Sequence, residues 1–422
     1  MTERAMSPRA IGAWCSYDWG MTAGHAVIDT FIFSVYFSRS VAASVTEGTA
    51  AWGNALAAAG FVIAVLSPVL GAIADRTGRR KPWIAAFTLI AIGAMIVLYG
   101  VTPEPASVPL ALAAFTVMVV ARELALVFYN AMLPTLAPPG HLGRLSGWGY
   151  AAGYAGGLAC LVLALYGLVK ADAPLFGLIG TGAEQNVRAV APLSGLWLAV
   201  FALPLFFWTP DQPASGQSLG RAAREGLATL GQTLRDVQKY RTIAWFLVAS
   251  AFYRDGLATL TAFGGLYAAG SFGMSFSEIL IFAMMLNVTA GLGATGFAWI
   301  DDWIGARATI LVTLVGLLIF AGGILLVHEK SWFWGLSLGL GVFIGPSQAA
   351  GRSMLARLAP QGMVTEMFGL YGFTGKAAAF LGPLALGWAT LAFESQRAGM
   401  ATILVFFLIG LVMMLNVREP RS

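Results

Sequence analysis

Apolar runs of about twenty residues, the length that crosses a bilayer as a helix, follow one another along the whole chain with short polar breaks between them. Twelve such runs stand out, over 12–37, 52–73, 83–101, 107–130, 145–169, 190–209, 243–268, 277–300, 308–327, 332–352, 366–391 and 398–417. They are long and do not alternate, so they predict helices rather than strands. The polar stretch Thr209–Arg241 divides six runs from six. The pattern therefore predicts an all-α integral membrane protein of twelve transmembrane helices in two six-helix bundles. Residues 1–209 are expected to form the first bundle, 210–242 a linker and 243–422 the second. The second part of the linker is expected either to lie as an amphipathic helix on the membrane face or to be a solvated tether.

Composition agrees with a lipid solvent. The 422 residues are 58% hydrophobic and only 11% charged, against about 25% charged in soluble domains. Of the 25 Lys and Arg, 17 fall on one side of the predicted spans, five on the other and three inside. The basic side includes Arg4, Arg9, Arg144, Arg307, Arg352, Arg357, Arg418, Arg421, the stretch "DRTGRRK" and the linker. That bias predicts a multi-pass protein of the cell membrane (the inner membrane in a bacterium) with both termini cytoplasmic. It also accounts for the net charge of +5 without a nucleic-acid partner. Cys15 and Cys160 sit in apolar runs and predict no disulfide. The three histidines have no metal-ligand spacing, and no phosphate-binding G-x-x-x-x-G-K-[ST] loop occurs. Neither a cofactor nor a metal is expected, and neither ATP-driven pumping nor enzymatic chemistry. Asn287 matches a glycosylation pattern but falls inside a span, so it is discounted.

The halves repeat. Between 129–157 and 351–379, at an offset of 222, identical positions include Met132/Met354, Leu133/Leu355, Leu136/Leu358, Ala137/Ala359, Pro138/Pro360, Gly140/Gly362, Gly147/Gly369 and Gly153/Gly375. "DRTG" (75–78) is echoed by "DWIG" (302–305), and "YDWG" (17–20) by "YRDG" (253–256). Two six-span copies enter the membrane in the same sense. Their relation is then a pseudo-two-fold axis along the membrane normal, with any site near the midplane between them. Such a carrier can work as a monomer among membrane lipids.

Several polar residues lie inside these runs. In the first, Asp18, His25 and Asp29 follow steps of seven and eleven, which place them with Thr22 and Tyr36 on one helix face. An ionised group at the bilayer centre costs roughly 2.5–3.5 kcal/mol, so such a stripe predicts an aqueous lining. Asp18 and Asp29 span about 16 Å of that face. The fourth run carries Arg122 with Tyr129 on one face, and Glu123 with Asn130 on the next. The seventh carries Tyr253, Arg254 and Asp255. Here Asp18 or Asp29 is the expected partner of Arg254, and Lys376 or Arg122 that of Asp255. Gln348 and Arg352 lie one turn apart in the tenth run, and Lys376 near the middle of the eleventh. Together with Tyr17 these residues form the candidate substrate or proton pathway. For each, the competing reading is a structural ion pair.

"GAIADRTGRRKPWI" (71–84) resembles the loop between the second and third spans of the major facilitator superfamily. In that light Gly71, Asp75, Arg76, Gly78, Arg79 and Arg80, with Asp302 and Gly305 in the echo, form a gating loop. Arg79, Arg80 and Lys81 are expected to hold it at the inner surface. "YDWGMTAGHAVIDTFIFSVYF", "FYNAMLPTLAPPGHLGRLSGWGYAAGYAGG", "YRDGLATLTAFGGLYA" and "GPSQAAGRSMLARLAPQGMVTEMFGLYGFTGKAAAFLGP" extend the resemblance. They resemble the branch that includes the fungal vacuolar amino-acid effluxers of autophagy and bacterial relatives. The usual first block reads close to Y-D-W-A-N-S; here Met21 stands in place of the Asn. The resemblance implies a secondary transporter that moves an amino acid or related zwitterion by alternating access, in the efflux direction. The buried carboxylates suggest coupling to protons. A lipid or lysolipid flippase on the same fold is the alternative.

Overall fold

The computed structural model describes residues 7–236 and 238–419. Arg4 and Arg421, counted above on the basic side, lie outside the described residues. The first span runs from Pro8 to Val41, the second is Val45–Thr77, the third Lys81–Leu98 and the fourth Val108–Ala131. The fifth is Leu142–Ala164 continued to Val169, and the sixth Val190–Trp208. After the linker come Arg241–Phe272, Phe276–Ile304, Ala306–Leu326 and Lys330–Leu358 as spans seven to ten. The eleventh is two helices, Val364–Ala378 and Leu381–Ala392, and the twelfth is Gln396–Met414. Most elements overrun the expected limits by a few residues, because helices continue to their caps. The second span starts where the Ser44 hydroxyl accepts from the Glu47 amide and ends at Gly78, φ +84°. The eighth starts with a Ser275–Glu278 capping box and ends at Gly305, φ +89°. Glycine is required at both turns, because other residues are strained there.

Eight helices among the described residues are by length and apolarity alone able to cross a membrane. The first, seventh, tenth and eleventh spans are not among them. Three of these carry most of the intramembrane polar residues, and the eleventh is broken.

The first span departs from the expected single polar stripe. It is α-helical to Gly24, widens to a π-helix over His25–Phe31, and is π again over Phe37–Val41. Each wider turn changes the angular step, so residues on either side of His25 no longer share a face. The Asp18 side chain is buried, Tyr36 donates to the Val101 carbonyl at 2.8 Å, and His25 stays exposed.

Close backbone contact joins the bundles. A Cβ on Gly71 would fall 2.5 Å from the Thr365 carbonyl oxygen, and one on Gly147 would fall 2.5 Å from the Ala298 Cβ. Gly369 abuts Ser67 and Pro68 in the same way. The second part of the linker is the expected helix and not a solvated tether. Leu219–Arg235 forms a helix whose Gly226 packs against Ala72 and Ile73. Arg76 donates to its Thr229 hydroxyl at 2.5 Å.

Within each bundle the sixth element of the half holds both ends of the third. In the first half Asp211 accepts from the Arg80 and Lys81 amides (3.0 and 3.2 Å), while Arg188 donates to the Tyr99 carbonyl (2.9 and 2.5 Å). In the second half Glu419 accepts from the Ala306 and Arg307 amides (3.1 and 2.9 Å), while Arg397 donates to the Leu325 and Val327 carbonyls (2.8 and 2.7 Å). An acid sits on each helix start and a base on each helix end, as the macrodipole favours. Removing either arginine takes the charged donors from these carbonyls. Arg188→Leu and Arg397→Leu are each expected to destabilise their half by about 1.5–3 kcal/mol, read as a lower melting temperature of the purified protein by intrinsic fluorescence. No drop in either variant contradicts the stapling.

Candidate functional site between the bundles

The polar residues of the spans gather where the two bundles face each other. Nearest the basic side, Asp18 of the first span meets Arg352 of the tenth at 3.0 Å. Arg352 also donates to the Asn130 side chain (3.2 Å) and to the Ser146 hydroxyl and carbonyl (2.9 and 2.6 Å). Its guanidinium lies over Trp14 and Tyr150, at 4.7 and 4.4 Å from their ring centroids. Arg352 was expected among the basic residues of the inner surface; it is instead 3% exposed inside the protein. Glycine makes room for it, since a Cβ on Gly149 would fall 2.6 Å from Arg352 Nη2 and 2.5 Å from Asp18 Oδ2.

The fourth span divides its polar residues between two directions, as steps of seven require. Arg122 and Tyr129 turn to the first span. Arg122 pairs with Asp29, and the Tyr129 hydroxyl donates to the Trp14 carbonyl at 3.0 Å. Glu123 and Asn130 turn to the second bundle, where Glu123 pairs with Lys376 at 3.4 Å. The His25 ring sits 3.1 Å from Asp29 and is 66% exposed. Tyr17 is fully buried and bonded to Thr88, 2.7 Å away, so it faces the third span and not the gap.

The partners expected for the seventh span are not the ones found. Arg254 reaches neither Asp18 nor Asp29, which already hold Arg352 and Arg122. It lies 3.9 Å over the Tyr371 ring and donates to the Tyr371 carbonyl at 3.0 Å. Asp255 meets neither Lys376 nor Arg122. It points to the break in the eleventh span, where it accepts from the Gly382 amide at 2.7 Å. Adjacent helix positions point about 100° apart, and here they serve different neighbours. Gln348 donates to the Tyr154 hydroxyl at 3.2 Å.

The openness of these pairs differs. Asp18–Arg352 is sealed, whereas the side chains of Glu123 and Lys376 are 33% and 28% exposed. Lys376, Arg122 and Arg254 all act on Glu123 through their charge. An anion and several cations thus meet at the seam, and the Glu123–Lys376 pair is the more exposed of the two.

On the basic side two carboxylates cross between bundles. Asp75, at the end of the second span, accepts from the Thr365 and Glu366 amides at 3.1 and 2.8 Å. Asp302, at the end of the eighth, accepts from the Gly143 and Arg144 amides at 2.8 and 3.2 Å, and from the Arg144 side chain at 2.7 Å. Each therefore caps the first turn of a helix in the other bundle. Arg80 was expected at the surface but is buried beside Asp75 (3.8 Å), donating to the Thr365 hydroxyl at 3.1 Å. Arg79 is exposed on the rim of a groove of about 670 Å³ that Lys81 and Asp211 also line. Arg357, expected only as part of the basic side, joins Asp301 (2.6 Å), Asp302 (3.5 Å) and Glu419 (3.1 Å). Glu366, also missed, is 1% exposed beside Thr233 of the linker helix. A signal existed for part of this: at the repeat's offset of 222, Gly143 and Arg144 map onto Thr365 and Glu366.

Two six-helix bundles with a polar seam and carboxylates capping across them make this a major facilitator transporter. The model of the family described as vacuole effluxer Atg22 like matches residues 46–422, and the chain belongs to that family. An uncharacterized MFS-type transporter of Bacillus subtilis, YxiO, is 25% identical over 97% of this chain and 95% of its own length. Autophagy-related protein 22 of Cryptococcus neoformans is 25% identical over 66% of this chain. The match takes in 53% of that relative, so the chain spans about half the length of the fungal proteins it resembles. Among solved structures, the transporter FucP in the outward conformation superimposes with a TM-score of 0.78 at 10% identity, covering 97% of this chain and 99% of that one. The human organic anion transporter MFSD10 gives 0.71 at 14% identity, covering 98% and 100%. These structural likenesses show the fold alone.

Breaking a sealed ion pair on one side strands the other charge. Asp18→Asn is expected to destabilise the protein by about 3–5 kcal/mol, read as a fall in melting temperature. Glu123→Gln, in the partly exposed pair with Lys376, is expected to cost less. Equal losses count against the distinction drawn between the two pairs.

Proposed function

We propose that this protein is a secondary active transporter that exports an amino acid or related zwitterion by rocking 1–209 against 243–422. The partly open Glu123–Lys376 pair carries this reading. A zwitterion can replace each partner with its own opposite charge: its ammonium meets Glu123, and its carboxylate meets Lys376 and Arg254. Such an exchange makes solute binding and separation of the bundles one event. Asp29 and His25 would border the same path, and Gln348 would supply a neutral contact. Export is supported by the description of the family as vacuole effluxers. The basic side is read as cytoplasmic, in a cell membrane, because of its excess of arginine and lysine. With Asp75 and Asp302 seated on helices of the opposite bundle, the conformation is one closed to the cytoplasm. Leaving it requires both carboxylates to unseat, with Gly71, Gly78 and Gly305 allowing the close contacts and turns, and 210–242 linking the moving units. Protons supply the driving force in this reading.

Three measurements test it. In purified protein, one member of a panel of amino acids, peptides, sugars and lysolipids is expected to raise the melting temperature, as any ligand of the folded state does. A response to lysolipids alone favours lipid movement instead. In proteoliposomes, Glu123→Gln and Lys376→Met are expected to lower transport of the responding solute about tenfold or more, the loss of one charge-assisted contact. The double variant Glu123→Lys with Lys376→Glu should keep the melting temperature yet fail to transport; full transport by it removes the exchange model. For the cross-bundle caps, a cysteine placed at Ala298 in a Cys15→Ser, Cys160→Ser background is expected to be slow to react with a membrane-impermeant maleimide. Adding Asp75→Asn and Asp302→Asn should speed the reaction, and no change refutes their holding role.

A further inference from the structure

Of the charged residues at mid-membrane depth, Asp255 is the one the transport reading leaves idle. It lies at the midpoint of the seventh span, is 2% exposed, and has no cationic partner among the described residues. Its Oδ2 accepts from the Gly382 amide, while its Oδ1 has no hydrogen-bond partner. One turn on, the hydroxyl of Thr259 is also buried and unpartnered, and is 1% exposed. Both residues converge on the bare face of Gly382. A Cβ there would meet the Thr259 hydroxyl and fall 3.1 and 3.2 Å from the two carboxylate oxygens. Opposite them the eleventh span is interrupted: the helix ends at Ala378 and resumes at Leu381. Asp255 thus serves the second half of that span as a cap supplied by a different helix. Pro383, next in line, has no amide to offer.

No neighbouring charge relieves this carboxylate. Leu381–Ala392 carries no titratable side chain, and the twelfth span only Arg397, which is bound at its far end to the Leu325 and Val327 carbonyls. Of Val364–Ala378, Lys376 is held by Glu123, Tyr371 by Arg254, and Glu366 lies at the basic end. In the tenth span Arg352 is held by Asp18, Arg357 by Asp301 and Lys330 by Glu278; in the eighth, Asp302 is held by Arg144. On its own helix the neighbours are Tyr253, buried, and Arg254, stacked on Tyr371. An isolated anion in such a place is costly, and a proton is the one cation small enough to relieve it without rearrangement.

We propose that Asp255 is the residue that carries the coupling proton, and that the proton works the hinge at the break of the eleventh span. This rests on the transport reading and gives its driving ion a site. Ionised, the carboxylate holds the Gly382 amide by a charge-assisted bond. Protonated at the unpartnered Oδ1, it loses its charge and becomes a weaker, neutral acceptor for Gly382. The hinge loosens, and Lys376, in the helix on its other side, gains freedom to leave Glu123. One O–H bond forms on uptake and breaks on release.

The test is hydrogen–deuterium exchange of the purified full chain in nanodiscs across a pH series, corrected for the intrinsic pH dependence of exchange. Amides in 381–386 should lose protection, about tenfold or more, as the pH falls through the Asp255 ionisation, the loss of one charge-assisted bond. Asp255→Asn should show the low protection at every pH. Thr259→Val, which keeps the acid but makes its surroundings less polar, should move the midpoint to higher pH. Protection that is flat with pH in the natural protein overturns the proposal, as does an unchanged pH response in Asp255→Asn. No solute is needed for this readout, so its failure is distinct from a failure to find a transported solute.

Discussion

Helix ends are the weak points of a protein built from spans. Each start leaves amides, and each end carbonyls, that the helix itself cannot satisfy, and lipid supplies nothing to them. This molecule answers with full charges. Asp211 and Glu419 cover the starts of the third and ninth spans, and Arg188 and Arg397 cover their ends. Asp75 and Asp302 cover starts that belong to the other bundle. The two uses differ in consequence. A charge that caps within a bundle makes that bundle rigid. A charge that caps across the seam holds only one arrangement of two rigid bodies, and can be surrendered to water when they part.

The seam itself follows the same economy of charge. Asp18 and Arg352 are enclosed by Trp14, Tyr150 and Ser146, so no solute displaces them while that packing stands. Arg122 and Asp29 are joined within one bundle and keep their geometry whatever the other does. Glu123 and Lys376 are joined across bundles inside the spans and are both partly exposed, so they combine accessibility with dependence on the state of the seam. A buried pair is weak evidence for stability because desolvation opposes attraction. Here its clearer use is to fix the register of one bundle against the other.

Much of the fold was legible because the solvent is apolar. Lipid demands long apolar helices, and the runs that meet that demand are visible one residue at a time. The polar seam was legible as membership, through Asp29, Arg122, Glu123, Arg352 and Lys376, but only partly as pairing. Within a regular helix a step of seven was a safe guide, and the division of Arg122 and Glu123 followed it. In the first span it failed, because the turns widen after Gly24, which no residue there advertises. Arg254 and Asp255 were misassigned because the nearest opposite charge was taken as the partner. Tyr371 and the Gly382 amide are a ring face and a backbone group, which a search among charges cannot find. Arg188, Arg397, Asp211 and Glu419 looked like loop residues, since their roles depend on which helix ends lie beside them.

The two halves are not in one register throughout. The cross-bundle caps fall at an offset of 222, Gly143 against Thr365, while the arginine staples, Arg188 and Arg397, are 209 apart and the acidic ones, Asp211 and Glu419, 208. The slip is taken up between the fifth and sixth spans, in 170–189, whose counterpart in the second half is only 393–395. The first copy therefore carries surplus chain on the face away from the caps, with Phe176 and Leu178 standing almost wholly free. Duplication symmetry places no demand on that excursion. Its length and composition can change without altering the spacing of the staples and caps beneath it.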